Sequence, residues 1–341
     1  MIPRQLKPSF KRSFFLFGPR ATGKSTLIHQ WFNSHKKDSV LFLDLLDPAT
    51  ERILSRYPER LIEMASARRF EWVVLDEVQK IPRLLDVVHK LIFDQKLKFA
   101  LSGSSARKLR RDSANLLAGR AFSYRLYPLT YQELGPSVGT EALLASGSLP
   151  DIFSLETEQE KRRYFLSYVQ TYIKEEILVE QLVRNIEPFR AFLEVAAQMN
   201  TEIINYTRLA KEAQTTSKNV ERYFSILSDT LLGHLLEPFS KSVRIRQRQA
   251  PKFYFFDCGV TRALNGEINQ ALLPQTFSYG KLFEQLVVCE ALRLNDYHEK
   301  NWKFSYVRTG AGVEIDLVIE KNRTETVLIE IKSTQNCHDQ H

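Results

Sequence analysis

The chain has 341 residues, 43% of them hydrophobic and 26% charged, which is enough for two or three domains that each bury a core. It contains no run of about 18 apolar residues, and its basic N-terminus lacks the apolar segment of a signal peptide, so we expect a cytoplasmic protein with no membrane-spanning segment. The formal charge of +8 fits a nucleic-acid partner, an anionic membrane surface or a solvated basic surface equally well.

The first predicted element is a buried strand, Phe14–Phe17, followed by a glycine-rich turn and a helix. Gly18, four further residues and then Gly23-Lys24-Ser25 have the spacing of a P-loop, in which glycines let backbone N–H groups turn toward a phosphate. The start of the helix adds N–H groups and the positive end of its dipole. We therefore expect ATP or ADP to bind here. The predicted nucleotide-binding residues are Gly18, Pro19, Arg20, Ala21, Thr22, Gly23, Lys24, Ser25 and Thr26.

A second apolar run, Val40–Leu43, predicts a parallel strand that is covered on both faces. Asp44 and Asp47 fall at or just beyond its end, where ligand-facing residues of open α/β sheets occur. A carboxylate in this place can equally cap the helix that the sequence predicts from Pro48. Both interpretations remain open at the level of sequence.

The third strand, Trp72–Leu75, ends in the two carboxylates Asp76 and Glu77 and has the form of a Walker B segment. Lys24 would reach the β- and γ-phosphates, Ser25 and Asp76 would hold Mg²⁺, and Glu77 would polarise the attacking water. Two acids are needed because one neutralises the metal while the other stays free to accept a proton. The pattern predicts ATP hydrolysis, and the paired acids argue against a small-molecule kinase.

Small hydroxyl residues follow the fourth strand, Lys98–Leu101. Ser104 is expected to orient the attacking water or to sense the γ-phosphate, although a serine-rich turn before a helix is the simpler alternative. Several arginines come next. Arg120 is the candidate for an arginine finger that serves a neighbouring copy of the chain, which would make the protein an oligomer; a solvated surface arginine is the alternative.

These motifs together resemble a known family. The stretches GPRATGKST, VVLDEVQKIP, LSGSSARKL, AGRA and LYPLTYQEL occur in this order and look like the AAA-type ATP-binding domain of a large prokaryotic family. The resemblance extends over essentially the whole chain. It implies an AAA-type domain over residues 1–145 and a C-terminal domain of unknown function that often has a restriction-endonuclease-like fold.

The middle of the chain predicts a helical lid over residues 146–187 and a winged helix over residues 188–257. Three helices, at roughly 189–199, 207–213 and 217–231, precede two strand-like runs. The second helix of the helix-turn-helix and the strand of the wing both expose basic residues, as expected for contact with double-stranded DNA. A protein-binding winged helix is the alternative. The candidate DNA contacts are Lys218, Asn219, Arg222, Arg244, Arg246 and Arg248.

The last segment, residues 258–341, follows the pattern of a PD-(D/E)XK nuclease. Asp316 lies on one strand, Glu330 and Lys332 follow on the next, and Glu284 on the preceding helix would be the auxiliary carboxylate. Two carboxylates would bind Mg²⁺ and the lysine would stabilise developing negative charge. An amphipathic pair of strands is the plainer alternative. Because the chain stops soon after Lys332, we expect a truncated domain with an exposed sheet edge.

The predicted fold class is α/β, with the parallel sheet of an AAA-type P-loop NTPase followed by the helical lid, the winged helix and a small α/β nuclease-like domain. The predicted function is a Mg²⁺-dependent ATP hydrolase that acts as a nucleotide-driven switch or motor and associates with DNA. The alternative is a regulatory ATPase whose winged-helix and C-terminal domains bind protein partners and cut nothing.

Overall fold

The structure is a computed structural model that describes residues 2–33, 35, 39–104, 107, 109, 117, 119–173, 186–240, 249–309 and 313–334. The chain divides into two compact units: an N-terminal unit, residues 4–127, and a C-terminal unit, residues 128–341 together with the first three residues. Within the described ranges, no helix combines the length and the apolar character that a membrane crossing requires.

The N-terminal unit is an α/β fold with a parallel sheet. In chain order it contains β1 (Ser13–Phe17), α1 (Lys24–Phe32), β2 (Val40–Asp44), α2 (Pro48–Arg56), α3 (Arg60–Ser66), β3 (Trp72–Asp76), α4 (Leu84–Gln95), β4 (Lys98–Gly103) and β5 (Ala121–Arg125). These strands lie in the order β2-β3-β4-β1-β5, and each pair is parallel. All five residues of β1 are buried, as its apolar run predicts for a strand with neighbours on both sides.

Because the strands are parallel, their carboxyl ends meet at one edge of the sheet, where ligands of open α/β sheets bind. The glycine-rich turn follows β1, and Asp76 is the last residue of β3, which is separated from β1 by the single strand β4. The predicted phosphate loop and the predicted pair of acids therefore lie at the same edge. The opposite edge holds the start of β5, where Ala121 is in register with Ser13.

The C-terminal unit combines helices with a second sheet. In chain order it contains α5 (Tyr131–Leu134), α6 (Thr140–Ser146), α7 (Glu158–Ser167), α8 (Ile186–Gln198), α9 (Tyr206–Glu212), α10 (Ser217–Asp229), β6 (Gly233–Pro238), β7 (Lys252–Phe255), α11 (Cys258–Leu264), α12 (Phe277–Tyr297), β8 (Lys303–Arg308), β9 (Glu314–Glu320) and β10 (Thr326–Ile329). The strands lie in the order β10-β9-β8-β6-β7. Helix α12 packs on this sheet through buried Val288 and Cys289 against Leu236, Tyr306 and Leu317.

The C-terminal unit begins at Pro128, whereas we placed the end of the ATPase domain at residue 145. The buried Arg293 of α12 explains the difference, because its guanidinium donates to the carbonyl oxygen of Leu129 and to Oγ of Ser148, each at 3.1 Å. The carboxylate of Asp257 accepts the backbone N–H of Ser148 at 2.7 Å. Buried polar groups need such partners, so these bonds hold the segment that follows Pro128 to the helices and strands behind it.

A second predicted boundary, between residues 257 and 258, falls inside one sheet. Strand β6 pairs antiparallel with β7 and parallel with β8, where Glu237 and Pro238 lie opposite Ser305 and Tyr306. The backbone N–H of Phe239 continues this pairing to the carbonyl oxygen of Tyr306 at 2.7 Å. The two strands that we assigned to the winged helix therefore share a sheet with the strands that we assigned to the nuclease-like domain.

Candidate functional site

The glycine-rich turn forms a tight loop before α1. Gly23 takes a left-handed conformation with φ 85° as the residue before the helix, and Ala21 also has a positive φ of 61°. Buried Thr22 donates its hydroxyl to the carbonyl oxygen of Pro19 at 2.8 Å. A Cβ on Gly18 would collide with the carbonyl oxygen of Leu126, which follows β5. The spacing of the two glycines thus follows from one backbone conformation and one close approach.

Lys24 is buried at the first position of α1. Its Nζ donates to the carbonyl oxygens of Gly18 and Pro19 at 2.9 and 3.0 Å. Within the described residues, no carboxylate lies within ion-pair distance of this ammonium. Neutral carbonyls hold the side chain in place without cancelling its charge, and a buried cation of this kind is stabilised by an anion.

Arg4 ties the phosphate loop to the end of the sheet. Its two terminal nitrogens donate to the carbonyl oxygens of Thr22 at 2.9 Å and Tyr127 at 2.5 Å. The two carbonyls are far apart in sequence, and the arginine joins them from the N-terminal segment. Arg4 was not predicted as part of the site, because an arginine in a basic N-terminal stretch carries no signal that distinguishes it from a solvated one.

The two acids at the end of β3 are held by different partners. The hydroxyl of Ser102 donates to Oδ1 of Asp76 and accepts the backbone N–H of Glu77 at 3.0 Å. The side-chain amide of Gln79 donates to Oε2 of Glu77. Ser102 is one of the small hydroxyl residues predicted at the end of the fourth strand, whereas Gln79 was not predicted as part of the site. The register of β3 against β4 brings Ser102 to both acids, and sequence spacing does not reveal that register.

The turn that contains Glu77 and Gln79 has two locally unfavourable features. Glu77 has φ 60° and ψ 45°, a left-handed conformation that costs a non-glycine residue about 1–3 kcal/mol. Gln79 is 6% exposed, and within the described residues its Oε1 is a buried oxygen with no hydrogen-bond partner. Strain and an unpaired buried oxygen both persist only where packing enforces them, and they mark this turn as a place where geometry matters.

The other predicted residues of this region occupy distinct places. Ser104 is buried just after β4, at the same edge of the sheet as the phosphate loop. Arg120 is exposed at the opposite edge, where it precedes β5. The five residues of β1 between the two edges span roughly 16 Å, so Arg120 does not reach its own phosphate loop. Asp47 caps α2, since its carboxylate accepts the N–H of Thr50 at 2.9 Å.

The predicted DNA contacts of the second helix, Lys218, Asn219 and Arg222, lie on α10. Thr216 caps α10 by accepting the N–H of Asn219, whose own side chain donates to Oγ1 of Thr215 at 3.0 Å. Lys218 and Arg222 are exposed one turn apart on this helix. The three predicted wing arginines, Arg244, Arg246 and Arg248, lie outside the described residues.

The C-terminal unit brings three carboxylates around one lysine. Lys252, at the start of β7, is almost completely buried, and its Nζ lies 3.2 Å from Oε1 of Glu284, 2.5 Å from Oε1 of Glu314 and 3.7 Å from Oδ1 of Asp316. Tyr254 donates its hydroxyl to the same oxygen of Glu284 at 2.7 Å. We refer to these four charged residues as the Lys252 cluster.

Burial and charge act against each other in the Lys252 cluster. Desolvation lowers the pKa of Lys252, but the three carboxylates outweigh it and leave that pKa above its ordinary value, so the lysine is charged at neutral pH. Desolvation raises the pKa of Glu284, and the nearby Lys252 opposes the shift. The cluster lines a cavity of about 600 Å³ that also contains Lys281, Arg308 and Lys332.

The residues of the predicted nuclease pattern are only partly assembled. Glu284 and Asp316 face the same cavity, and Asp316 also accepts the backbone N–H of Ile331 at 2.7 Å. Lys332 is 59% exposed and pairs with Glu330 at 2.6 Å. Among the described residues, no group of histidine, cysteine, aspartate or glutamate side chains has the geometry to hold a metal ion. Lys252 was not predicted as part of the site, because its sequence context is that of the first residue of an apolar strand.

Comparison with known proteins separates the chain along similar lines. Residues 11–135 match a family described as an AAA domain. Residues 139–271 match a domain of unknown function (DUF8612), and residues 279–341 match another (DUF4143). The parallel sheet of this first segment and the glycine-rich turn after its first strand agree with the match to an AAA domain.

The full-length relatives have no assigned activity. An uncharacterized protein of Methanocaldococcus jannaschii is 21% identical, and the match covers 96% of this chain and 75% of the relative. An uncharacterized protein of Haemophilus influenzae is 22% identical over 81% of this chain and 73% of the relative. A solved structure of the replication initiator DnaA, bound to AMPPCP and single-stranded DNA, is 15% identical and covers 64% of this chain and 82% of that chain, with a TM-score of 0.32.

Proposed function

We propose that this protein is a Mg²⁺-dependent ATP hydrolase that works as a nucleotide-driven switch. The observation that carries the proposal is the buried ammonium of Lys24, which neutral carbonyls hold at the carboxyl edge of a parallel sheet. A buried cation in a loop of turned backbone N–H groups is a site for phosphates. The pair Asp76 and Glu77 at the same edge extends the proposal from binding to hydrolysis.

Each residue has a proposed role. Lys24 would neutralise charge on the β- and γ-phosphates, and Ser25 in the first turn of α1 and Asp76 at the end of β3 would hold the metal. Oxygen ligands from a hydroxyl and a carboxylate suit Mg²⁺, which supplies charge neutralisation when it is bound. Glu77 would accept a proton from the attacking water, and Ser104 would help to position that water.

Arg120 fits only one version of the arginine-finger hypothesis. Because it lies at the edge of the sheet opposite its own phosphate loop, it would act on nucleotide held by a second copy of the chain. The proposal therefore includes an oligomer in which Arg120 completes a neighbouring site. Mixing Arg120→Ala, which keeps its phosphate loop, with Lys24→Ala, which keeps its arginine, should then restore hydrolysis that neither variant shows alone, because the mixed oligomers contain complete sites.

The test is steady-state ATP hydrolysis with Mg²⁺ by wild type, Lys24→Ala and Glu77→Gln. Removal of one preorganised charge at the transferred phosphoryl group costs about 10²–10³-fold in rate. Lys24→Ala should lose both nucleotide binding and hydrolysis, whereas Glu77→Gln should keep binding and lose hydrolysis. Unchanged ATP affinity in Lys24→Ala would refute the proposed site, and phosphate transfer to an added acceptor would indicate a kinase instead.

Double-stranded DNA is the proposed partner of the helix-turn-helix. Lys218 and Arg222 support it because they are exposed one turn apart on α10, the helix that such folds place in the major groove. Asn219 supports it less, since its amide already bonds Thr215. Removal of the two basic residues should lower DNA affinity and flatten its salt dependence. An unchanged salt slope would indicate a protein partner.

The Lys252 cluster favours the second version of the C-terminal function, in which this unit regulates or binds and does not cut. A PD-(D/E)XK centre needs its carboxylates to bind a divalent metal. Here those carboxylates are already paired with a buried lysine. We therefore propose a switch whose C-terminal unit transmits nucleotide state to a partner.

A further inference from the structure

The carboxylates of the Lys252 cluster converge from two elements of the fold. Glu284 projects from α12, and Glu314 and Asp316 lie on β9, two residues apart and therefore on one face of the strand. Three carboxylates around one point are the type of ligand set that a divalent cation prefers. The atom at that point in this protein is Nζ of Lys252, within 3.7 Å of an oxygen of each acid.

The backbone fixes Lys252 in this position. Lys252 pairs with Leu236 of β6 on one side and forms a bridge to Ile203 on the other. The next residue, Phe253, is buried and is anchored to the backbone N–H of Thr201 at 2.8 Å. Strand pairing on both sides fixes where the side chain of Lys252 starts, and burial together with the three ion pairs holds its ammonium among the acids.

The four residues of the Lys252 cluster carry a formal net charge of −2, which Arg308 reduces to −1. One lysine faces three carboxylates, and Arg308 adds a further positive group 3.9 Å from Glu314. A divalent cation would have to enter beside a buried ammonium at ion-pair distance from its own ligands, and like charges at this distance repel strongly in a low-dielectric site. The residues present therefore do not fit the metal that the nuclease pattern implies.

We propose that Lys252 is a built-in cation that replaces the divalent metal of a nuclease-like centre. The wild-type unit keeps the carboxylates of such a centre, binds no divalent metal at them and cleaves no DNA. The lysine of the nuclease pattern, Lys332, is then free of a catalytic role, consistent with its exposed pair with Glu330. The charge of one buried side chain then decides whether these carboxylates bind a divalent metal.

The test is a count of bound Mn²⁺ by electron paramagnetic resonance on the full chain without nucleotide, so that any ion at the phosphate loop is common to all samples. The wild type and Asp316→Asn should bind equal numbers of ions. Lys252→Ala should bind one more ion than the wild type. The affinity of the three carboxylates for Mn²⁺ should be at least 10-fold higher in this variant than any residual affinity in the wild type. The double variant Lys252→Ala/Asp316→Asn should lose the extra ion.

Lys281→Ala is the matched control. Lys281 lines the same cavity, but it pairs with Glu202 at 2.5 Å and not with the three acids, so its removal should add no ion. A wild-type ion that disappears in Asp316→Asn would overturn the proposal, as would nicking of plasmid DNA that depends on Asp316. A folded Lys252→Ala protein that gains no ion would overturn it too. The comparison of wild type with Asp316→Asn stands even if Lys252→Ala does not fold.

Discussion

Two buried lysines, Lys24 and Lys252, show how partners decide what a residue does. The ammonium of Lys24 bonds two neutral carbonyls in a loop that precedes a helix. The ammonium of Lys252 lies among three carboxylates in the second sheet. The charge of Lys24 remains available for an anion, whereas the charge of Lys252 is neutralised by carboxylates of the protein itself. Equal burial therefore has opposite consequences, because a neutral partner positions a cation whereas an anionic partner neutralises it.

The largest expected effect comes from removal of Lys252, whose charge neutralises buried carboxylates. Lys252→Ala leaves three largely buried carboxylates without their cation and should lower the free energy of unfolding by about 3–5 kcal/mol. Urea denaturation of the full chain measures this. Lys161→Ala is the control, because its pair with Glu158 at 2.7 Å is an exposed pair worth less than about 1 kcal/mol. Equal urea midpoints for wild type and Lys252→Ala would remove the contrast between the two lysines.

The stabilisation that Lys252 provides should depend on pH only in the alkaline range. The pKa of Lys252 lies above its ordinary value of 10.5 because the gain from Glu284, Glu314 and Asp316 exceeds the cost of desolvation. A raised folded-state pKa gives stability that is fully present below the unfolded pKa and is lost as pH rises through the folded one. The difference in unfolding free energy between wild type and Lys252→Ala should therefore be constant from pH 7 to about pH 10 and shrink at higher pH. A difference that shrinks below pH 9 would contradict this assignment.

At the phosphate-loop edge, the pair of Gln79 and Glu77 should control rate more than binding. Gln79→Ala frees the carboxylate of Glu77, and the loss of a fixed orientation should lower kcat roughly 10- to 100-fold with little change in KM. Measurement of kcat and KM for ATP distinguishes this positioning role from a general loss of fold, which would change both. Full activity in Gln79→Ala would show that packing alone orients Glu77.

The smallest effect is expected for Arg4, the N-terminal tie between the phosphate loop and the end of the sheet. Arg4→Ala removes two hydrogen bonds to the carbonyls of Thr22 and Tyr127, and its effect should reach the phosphates only through the loop. We expect KM for ATP to rise about 3- to 10-fold, equivalent to about one net hydrogen bond, while kcat stays nearly constant. Arg12→Ala, which loses one bond to the carbonyl of Gly119 at the other edge of the sheet, is the matched control. Equal KM values for the two variants would rule out a role for the tie.

The sequence was informative where chemistry depends on neighbours along the chain. The glycine spacing before Lys24 and the acids that end β3 could be located, because a loop between a strand and a helix is a local feature. Asp47 as a helix cap was likewise one of the two local interpretations. The roles that we assign to these residues remain proposals.

Two of the contacts that the sequence did not reveal join parts of the chain that are distant in sequence. Ser102 meets Asp76 only because β4 lies beside β3 in register, and Lys252 meets its acids only because the fold brings the starts of β7 and β9 together with α12. Neither register nor sheet order can be read from hydrophobic periodicity, which reports the buried face of a strand and not its neighbours. A lone lysine at the head of a fully apolar strand is the one signal that could have directed attention to Lys252.

The shared sheet also decides how this protein can be dissected. A fragment that ends at residue 257, the natural choice for isolating a helix-turn-helix, would carry Lys252 away from Glu284, Glu314 and Asp316 and would strip β6 of its partner β8. The exposed backbone of β6 would then be open to pairing with another chain. Aggregation or nonspecific binding of such a fragment would be caused by the broken sheet and would not be a property of the intact protein. A fragment that starts at Pro128 and retains the whole second sheet is therefore the better one to express.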